Sequence, residues 1–471
     1  MKHKIKNIKS KLFVLIPVIL LIGIFIPGCG IDETINNSPN ATDQSKIMNE
    51  QGMKRLLIGL QVAVADFYSG DRSRISSIWT WQMCAPKGLG RPQPNAWNSY
   101  SMTQDGPTDD MWKIAYRGVK IANDIITLTP QVTFPLNQTE NRNTLIGIAK
   151  TYKALLFGEL AAFYGSIPIE VNSMNPAPFV TQREVYTKVQ QLLDEALANF
   201  ASTTAINQDL NFAGDGAKWI EAAHSLKARY HLHMKEYTEA LAEAKLGIKA
   251  SSGNLFGIYT DNAGEYSPWG HWTKTEVGEP IRGEMTFVNL LKSEDPDAST
   301  HKDSRLSQYF NAGGANFWGF AAHAETTADT NETNAAVTVT MNKYGNYADY
   351  FPLISYEETI LISAESKAQN NDVAGAVSDV NIIRSAAGLS NFAGTDKTLT
   401  ITEVLKQKNL QLFLEGQVYH DMRRTGTMPD PKPGVNLRWI YSESELNANP
   451  NVPANDDQLC KWLLAPAYGG I

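Results

Sequence analysis

Six tryptophans lie in stretches of the chain that lack helical periodicity and are rich in glycine, proline, serine and asparagine. A flat ring can stack on the apolar face of a sugar, and amide or imidazole groups beside it can reach the hydroxyls. The predicted ligand-binding residues are Trp79, Trp81, Trp97, Trp269, Trp272 and Trp318, and the polar groups that would assist them are Gln82, Asn95, Asn98 and His271. Any one ring could instead fill a small core beneath its loop, so we predict that at least one of the set lines a sugar-binding site.

The sequence lacks the local motifs of several enzyme classes. It contains no His-Glu-x-x-His, no Gly-x-Ser-x-Gly, no phosphate-binding Gly-Lys-Ser/Thr and no Cys-x-x-Cys. A carboxylate pair for glycoside hydrolysis could come from the segment around Glu415 and Asp421, but such a pair must lie about 5 to 9.5 Å apart across a cleft. Because Arg423 and Arg424 follow at the end of the same helical segment, we interpret these charges as structural ion pairs. We predict no catalytic residue and no enzyme activity.

Two groups of side chains could be considered for a bound metal. His231 and His233 are two residues apart on a predicted helix, so they point to different sides and cannot easily share an ion. Asp105, Asp109 and Asp110 could supply oxygen ligands to Ca²⁺, but capping of a helix start explains most of them. We therefore predict no metal site and no cofactor.

The composition is that of a globular protein in which acidic residues outnumber basic ones. The chain has 471 residues, 42 Lys and Arg against 49 Asp and Glu, and a net charge of −7. Phosphate binding needs concentrated positive charge, and because no basic face appears along the chain we predict no nucleic-acid partner. Cys84 and Cys460 are far apart in sequence, and we expect them to be unpaired.

The N-terminus has the layout of a secretory signal. A lysine-rich head precedes an uncharged apolar run, residues 12–27, that ends in Gly28 and Cys29. The run is shorter than the roughly 20 apolar residues of a membrane-spanning helix. We predict a signal peptide over residues 1–28, lipidation of Cys29, and a flexible polar tether that completes the segment 29–47. The alternative is an ordinary secreted protein with an incidental cysteine.

Apolar residues recur at spacings of three and four over most of the chain, which predicts a mostly α-helical fold. The predicted helices cover residues 49–67, 108–128, 141–164, 181–200, 217–234, 237–250, 356–370, 373–387 and 401–420. Periodicity stops over 68–107, which reads as a ring-rich loop, and over 251–351, which reads as an irregular insert with short strands. The pair 217–234 and 237–250 resembles a tetratricopeptide unit, so we expect tetratricopeptide-like helical pairs on both sides of the insert.

We expect a single domain over residues 48–471, since no Pro- or Ser-rich linker interrupts it. That length can bury a substantial core. The helical parts would span 48–250 and 352–426, on either side of the insert 251–351, and a C-terminal segment would cover 427–471.

The segment 411–426 resembles the late signature of SusD/RagB-like nutrient-binding outer-membrane lipoproteins. The residues that match this signature are Glu415, Gly416, Tyr419, Asp421 and Arg423. Other pieces of the family pattern follow in the right order, at Asn123 and at residues 165–168, 303–306, 381–388 and 438–453. Three residues depart from the family pattern: Gln407, Gln411 and Val418. The chain therefore resembles a divergent member of that family.

The resemblance implies a SusD-like fold and a lipoprotein anchored to the outer membrane through Cys29. Asp32 and Glu33 are similar to the acidic tag that directs lipoproteins of the Bacteroidetes to the cell surface. The resemblance also implies that the protein binds a nutrient, most often an oligosaccharide and in some relatives a peptide. It would pass this nutrient to a SusC-like TonB-dependent transporter and would catalyse no reaction.

Two other classes of protein remain open. A secreted glycan hydrolase would need a carboxylate pair whose removal abolishes turnover while binding survives. A helical-repeat scaffold of the cell envelope would need a long protein-binding groove rather than a cluster of rings in its loops.

Overall fold

The computed structural model describes a large part of the chain. The described residues are 48–85, 92–134, 140–170, 175–275, 281–294, 303–311, 317, 319–320, 340–429 and 438–453. The predicted signal peptide, Cys29, the tether, Trp318 and Cys460 lie outside these residues and stay predictions. Within the described ranges, none of the helices combines the length and the apolar composition that a membrane crossing requires.

The N-terminal half is a succession of helices that differ greatly in length. They are α1 (Glu50–Ser69), α2 (Asp71–Trp79), α3 (Pro92–Trp97), α4 (Pro107–Leu128), α5 (Glu140–Tyr164), α6 (Gln182–Phe200), α7 (Gly216–His233) and α8 (Tyr237–Ala244), with 3₁₀ turns at Thr129–Gln131 and Ser251–Gly253. Local caps fix several starts. Asn49 accepts a 2.9 Å hydrogen bond from the amide of Gly52, and Thr181 and Glu184 form a capping box.

The C-terminal half contains shorter helices and the strands. Its helices are α9 (Pro268–Thr275), α10 (Met285–Ser293), α11 (Arg305–Tyr309), α12 (Tyr356–Gln369), α13 (Val373–Ala386), α14 (Lys397–Gln411), α15 (Gln417–Thr425) and α16 (Glu443–Ala448). The strands form two-stranded antiparallel pairs. These pairs are β1 (Met83–Cys84) with β5 (Arg282–Gly283), β2 (Ile167–Pro168) with β3 (Phe179–Val180), β4 (Leu255–Gly257) with β8 (Phe351–Ile354), and β6 (Phe310–Asn311) with β7 (Thr340–Met341).

Helix α5 lies at the centre of the N-terminal helices and contacts α1, α4, α6 and α7. It carries fully buried residues on all its sides, as expected of a helix that others surround. The pairs α7–α8 and α12–α13 also pack together, and a cluster containing Ala228, Ala240 and Ile362 joins α7 and α8 to α12. The predicted mostly helical fold with tetratricopeptide-like pairs is thereby confirmed, and the described residues from Asn49 onward form one compact unit.

Three predicted segments differ from the structure. The range 68–107 is not one loop, because α2 and α3 lie in it, and the insert 251–351 contains α9, α10 and α11 as well as strands. The predicted helix 401–420 is two helices, α14 and α15. Between them Leu414 has φ 70° and Gly416 has φ 81°, a left-handed conformation that ends a helix. The apolar pattern runs through this break, so periodicity alone does not reveal it.

A buried network of charges joins α2, α5, α7 and α15. The Glu159 carboxylate accepts hydrogen bonds from Arg72 Nε at 3.1 Å and from Gln417 Nε2 at 2.9 Å, and it lies 3.4 Å from His420 Nε2. Burial by itself would raise the pKa of Glu159, but the Arg72 guanidinium and His420 hold it well below its usual range. Arg229 adds to the network through a bidentate pair with Glu358, with both contacts at 2.6 Å.

The charges of the family-like segment belong to a second buried network. Arg424 donates two 2.6 Å hydrogen bonds to Glu365 and also pairs with Asp421, while Lys408 contacts the same two carboxylates. Glu415 pairs with Lys343 at 3.0 Å. Asp421 and Arg424 therefore bind α15 to its neighbours through ion pairs, as predicted from their position.

Candidate ligand-binding surface

Three of the predicted tryptophans come together around one arginine. Arg74 of α2 places its guanidinium carbon 3.8 Å from the ring centroid of Trp272 and 5.0 Å from that of Trp97. Trp269 contacts Trp272 edge to face, with ring centroids 5.3 Å apart and planes at 83°. Arg74 is buried and pairs with Asp71 one turn earlier. A buried cation over an aromatic face is an attractive contact that holds the ring in place.

The rings of this cluster differ in their access to solvent. Trp97 and Trp269 are only 3% and 1% exposed, whereas Trp272 is half-buried. Trp269 also donates a 2.9 Å hydrogen bond from its indole nitrogen to Ser73 Oγ. In this structure Trp97 and Trp269 present almost no surface to a ligand, so their position favours a supporting role behind Trp272.

Trp79 lies apart from that cluster, in the hydrophobic core. It is 1% exposed and packs edge to face against Tyr100, Tyr419 and Trp439, with ring centroids 5.5 to 6.4 Å apart. Its position, like those of Trp97 and Trp269, matches the alternative in which a ring fills a core. Trp81 follows α2 and is half-buried, with φ 57°.

The polar residues predicted to assist the rings also divide into two groups. Gln82 is buried and donates to the carbonyl of Asn409 at 3.0 Å, and buried Asn98 bonds to both backbone groups of Ala85. These two side chains hold loops in place. Asn95 is half-buried, and His271 is exposed beside Trp272.

A pair of accessible stacked rings lies beside His271. Tyr266 and Tyr347 are both half-buried and stack with centroids 4.0 Å apart and planes at 19°. The His271 ring lies nearly parallel to Tyr266 at 6.2 Å, and Lys274 Nζ lies 4.6 Å from the centroid of Tyr347. We call Tyr266, His271 and Tyr347, together with Trp272, which follows His271 in α9, the aromatic surface.

The backbone of α9 brings the aromatic surface together. The amide of Ser267 donates a 2.7 Å hydrogen bond to the carbonyl of Tyr347, and the carbonyl of Ser267 accepts from His271 in the first turn of α9. A Cβ atom on Gly270 would lie 2.2 Å from the carbonyl oxygen of Asn346. Only glycine allows the helix to approach the loop so closely, and this approach places Tyr266 against Tyr347.

The chemistry of this surface suits binding. Stacked phenol rings and an imidazole offer flat, partly apolar faces, and Lys274 adds hydrogen-bond donors at the edge. Across the ranges that the structure describes, no three His, Cys, Asp or Glu side chains are grouped so that they could hold a metal ion. His231 contacts Glu236 at 2.7 Å, and His233 contacts Tyr186 at 3.1 Å.

Comparison with known proteins assigns the chain to a family. Residues 81–430 match the model of a SusD-like family described as "starch-binding associating with outer membrane". The chain belongs to this SusD-like family. The family model covers most of the chain, including α4 to α15 and the aromatic surface. The predicted resemblance is thereby confirmed, and the chain is a member of a family of binding proteins associated with the outer membrane.

Solved structures of low sequence identity share the fold of this SusD-like protein. A SusD/RagB family protein from Bacteroides thetaiotaomicron is 18% identical, covers 85% of this chain and 94% of its own, and has a TM-score of 0.65. A SusD-like protein from Bacteroides fragilis is 15% identical, with coverages of 88% and 98% and a TM-score of 0.67. A chitin-binding protein is 17% identical, with coverages of 83% and 94% and a TM-score of 0.63. A search of curated proteins gave no match.

Sequence reasoning missed two rings of the aromatic surface in this SusD-like protein. Tyr266 lies three residues before Trp269, so its position next to a tryptophan-rich motif could have indicated that it belongs to the site. Tyr347 carries no such signal, because it joins the surface only through the contact of α9 with a distant loop. Arg74 was missed as well, since nothing in the sequence of α2 indicates that the Arg74 side chain contacts Trp97 and Trp272.

Proposed function

We propose that this SusD-like protein binds an oligosaccharide outside the cell and delivers it to a SusC-like TonB-dependent transporter. The observation that carries this proposal is the stacked pair Tyr266 and Tyr347 beside exposed His271, with half-buried Trp272 next to His271 in the sequence of α9. Flat rings at a surface bind the apolar faces of sugars, and the family description names starch, a polysaccharide, as the ligand of relatives.

The aromatic surface would bind without a large rearrangement. Trp272 is held from below by Arg74 and from the side by Trp269, so its ring needs little further ordering when a sugar arrives. Preorganised rings lose less conformational entropy on binding than mobile ones. Several modest contacts would then give an affinity high enough for capture and low enough for release to a transporter.

The binding experiment uses probes suggested by the family description and by one relative. We expect calorimetric titration with maltoheptaose, derived from starch, or with chitohexaose, derived from chitin, to show binding. Trp272→Ala and Tyr347→Ala should each weaken it by about tenfold, ~1.4 kcal/mol, because each removes a stacking face.

Tyr350→Ala is the matched control, since Tyr350 is 49% exposed but lies outside the aromatic surface. Its affinity should equal that of the wild type. If Trp272→Ala and Tyr347→Ala behave like Tyr350→Ala, the aromatic surface is not the binding site. If a peptide library yields ligands while both sugars fail, the ligand class is peptide instead.

Three further measurements test the other parts of the proposal. We expect labelled palmitate to be incorporated into the wild type and not into Cys29→Ser, because the thioether at Cys29 would carry the anchor.

We expect a TonB-dependent channel to co-purify with the protein from the outer membrane, whereas co-purification with envelope-assembly factors alone would favour a scaffold. Incubation with starch or chitin should release no new reducing ends, and their release would favour a hydrolase.

A further inference from the structure

A concave site lies between α4 and α16, apart from the aromatic surface. It is a cavity of about 550 Å³, and its walls include Trp112, Tyr116 and Arg117 of α4, Glu170 after β2, and Glu445 and Asn449 of the α16 region. Sites for small ligands commonly enclose roughly 300 to 1,000 Å³. None of the lining residues belongs to the aromatic surface. We call this feature the Arg117 cavity.

Two rings lie in the wall of the Arg117 cavity, and they differ in exposure: Tyr116 is half-buried, whereas Trp112 is 3% exposed and lies behind it. Trp112 and Tyr116 lie with centroids 4.8 Å apart and planes at 41°. The Trp112 indole nitrogen donates to Glu445 Oε2 at 3.2 Å, and the Tyr116 hydroxyl donates to the carbonyl of Pro168 at 2.7 Å. Because both polar ring atoms already have partners, Tyr116 can offer its accessible apolar surface without leaving a buried polar group unpaired, and Trp112 holds that ring in place.

Other polar groups of the cavity are used to build its wall. Asp109 pairs with Lys113 and accepts a 3.0 Å hydrogen bond from the amide of Ser444, which ties α4 to α16. Asn449 donates to Glu445 Oε1 and to the carbonyl of Ala177, both at 2.9 Å. The wall is therefore formed by contacts within the folded chain and is present before any ligand arrives.

Two charged side chains at the cavity remain available. Arg117 and Glu170 are both exposed and line the cavity, and within the described ranges neither forms a hydrogen bond or an ion pair. The charge of Arg117 does act on the pKa of Asp66 in α1, which it lowers against the larger effect of burial. A guanidinium offers paired donors and a carboxylate offers paired acceptors, which suits neighbouring hydroxyl groups. The lining contains two cations, Lys113 and Arg117, and two carboxylates, Glu170 and Glu445, so it favours a neutral ligand over a charged one.

We propose that the Arg117 cavity is a second carbohydrate-binding site that takes neutral sugar units against the ring of Tyr116 and between Arg117 and Glu170. This inference rests on the proposed function, since it assumes that the protein handles glycans. A polysaccharide chain long enough to reach both sites would be held at two points, which strengthens binding through effective concentration without new contacts at either site.

The test removes the first site and asks what remains. In the double variant Trp272→Ala/Tyr347→Ala, titration with maltoheptaose or chitohexaose should leave residual binding. Adding Arg117→Ala or Glu170→Ala should weaken that residual binding by at least about tenfold. Arg55→Ala is the matched control, because Arg55 is an exposed arginine of α1 outside the cavity. Both Arg117 and Glu170 are exposed, so these variants should fold normally, with an unchanged thermal midpoint.

Hydrogen exchange supplies an independent reading in the same proteins. With saturating oligosaccharide, the amides of residues 107–117 and 443–449 should be protected from exchange in the Trp272→Ala/Tyr347→Ala variant. They should not be protected when Arg117→Ala is added.

If Arg117→Ala and Glu170→Ala both leave the residual binding unchanged, the cavity site is overturned while the proposed function stands. Absence of glycan binding in the wild type would overturn both. Protection of the cavity by a peptide and by neither sugar would overturn the carbohydrate assignment.

Discussion

The indole nitrogen of Trp269 donates a 2.9 Å hydrogen bond to the hydroxyl of Ser73, and that hydroxyl donates in turn to the carbonyl of Leu414. This buried chain joins α9, α2 and the left-handed turn between α14 and α15. Trp269 also supports Trp272 edge to face. The position of the half-buried Trp272 ring therefore depends on the buried Trp269 ring.

Replacing Trp269 should affect stability more than intrinsic affinity. Trp269→Ala removes a fully buried ring and should lower the free energy of unfolding by about 3 to 5 kcal/mol in urea denaturation. Trp269→Phe keeps an apolar ring but leaves the Ser73 hydroxyl without its donor, and the hydrogen-bond part of its cost should be about 1 kcal/mol. Trp272→Ala should show the reverse pattern, with a smaller loss of stability and a loss of glycan affinity. Wild-type stability in Trp269→Ala together with lost binding would contradict this division.

Local sequence signals predicted much of the helical fold. The predicted helix 181–200 differs from α6 by one residue, because the Thr181 cap and the apolar periodicity lie within the segment itself. The break between α14 and α15 was missed for the opposite reason. Gly416 sits inside an apolar pattern typical of a continuous helix, and the left-handed turn is held by tertiary contacts such as that of Ser73 with Leu414.

The candidate site was predictable in kind but not in detail. Tryptophans in irregular segments indicated a ring-based surface, and the structure does gather Trp97, Trp269 and Trp272. The sequence could not tell which of Trp269 and Trp272 is buried, because both lie on one short helix and their burial depends on what α9 packs against. Tyr347 could not be predicted, since its partner Tyr266 lies in a distant segment.

The pair formed by Arg72 and Glu159 should be strongly coupled. Both side chains are fully buried, and Arg72 Nη2 lies 2.5 Å from Glu159 Oε2. Glu159→Gln leaves the Arg72 charge buried without its partner, so we expect a loss of about 3 to 5 kcal/mol in urea denaturation. Arg72→Met/Glu159→Gln should cost less than the sum of the single changes, with a coupling energy of about 0.5 to 3 kcal/mol. Additive single losses would show that the two charges do not depend on each other.

Gly270 should be required for the aromatic surface to assemble. Gly270→Ala places a methyl group 2.2 Å from the Asn346 carbonyl oxygen, so α9 must shift away from the loop that carries Tyr347. We expect a loss of stability of about 1 to 3 kcal/mol and a weaker glycan affinity. Gly59→Ala is the control, because its Cβ would meet nothing closer than Ile121 Cδ1 at 3.9 Å within helix α1. That change should stabilise the protein by about 0.5 to 1 kcal/mol and leave affinity unchanged. Equal effects of the two substitutions would exclude the close approach as the cause.

Glu284 should give the protein a stability that falls as the pH rises. Its carboxylate caps α10 through a 2.5 Å hydrogen bond from the Thr286 amide, and burial at 2% exposure raises its pKa to about 7 from an ordinary value of 4.5. Between these two values the folded state holds a proton that the unfolded state releases, so the free energy of unfolding decreases across this window and levels off above it.

The variant Glu284→Gln is neutral at every pH and lacks this dependence. Its free energy of unfolding minus that of the wild type should rise by up to about 3 kcal/mol between pH 4.5 and pH 8 in urea denaturation. The buried network of Glu159 and His420 also titrates, with burial lowering the pKa of His420 to about 4. Because both proteins contain that network, its contribution cancels in the difference. Parallel stability curves for the two proteins would mean that folding does not raise the pKa of Glu284.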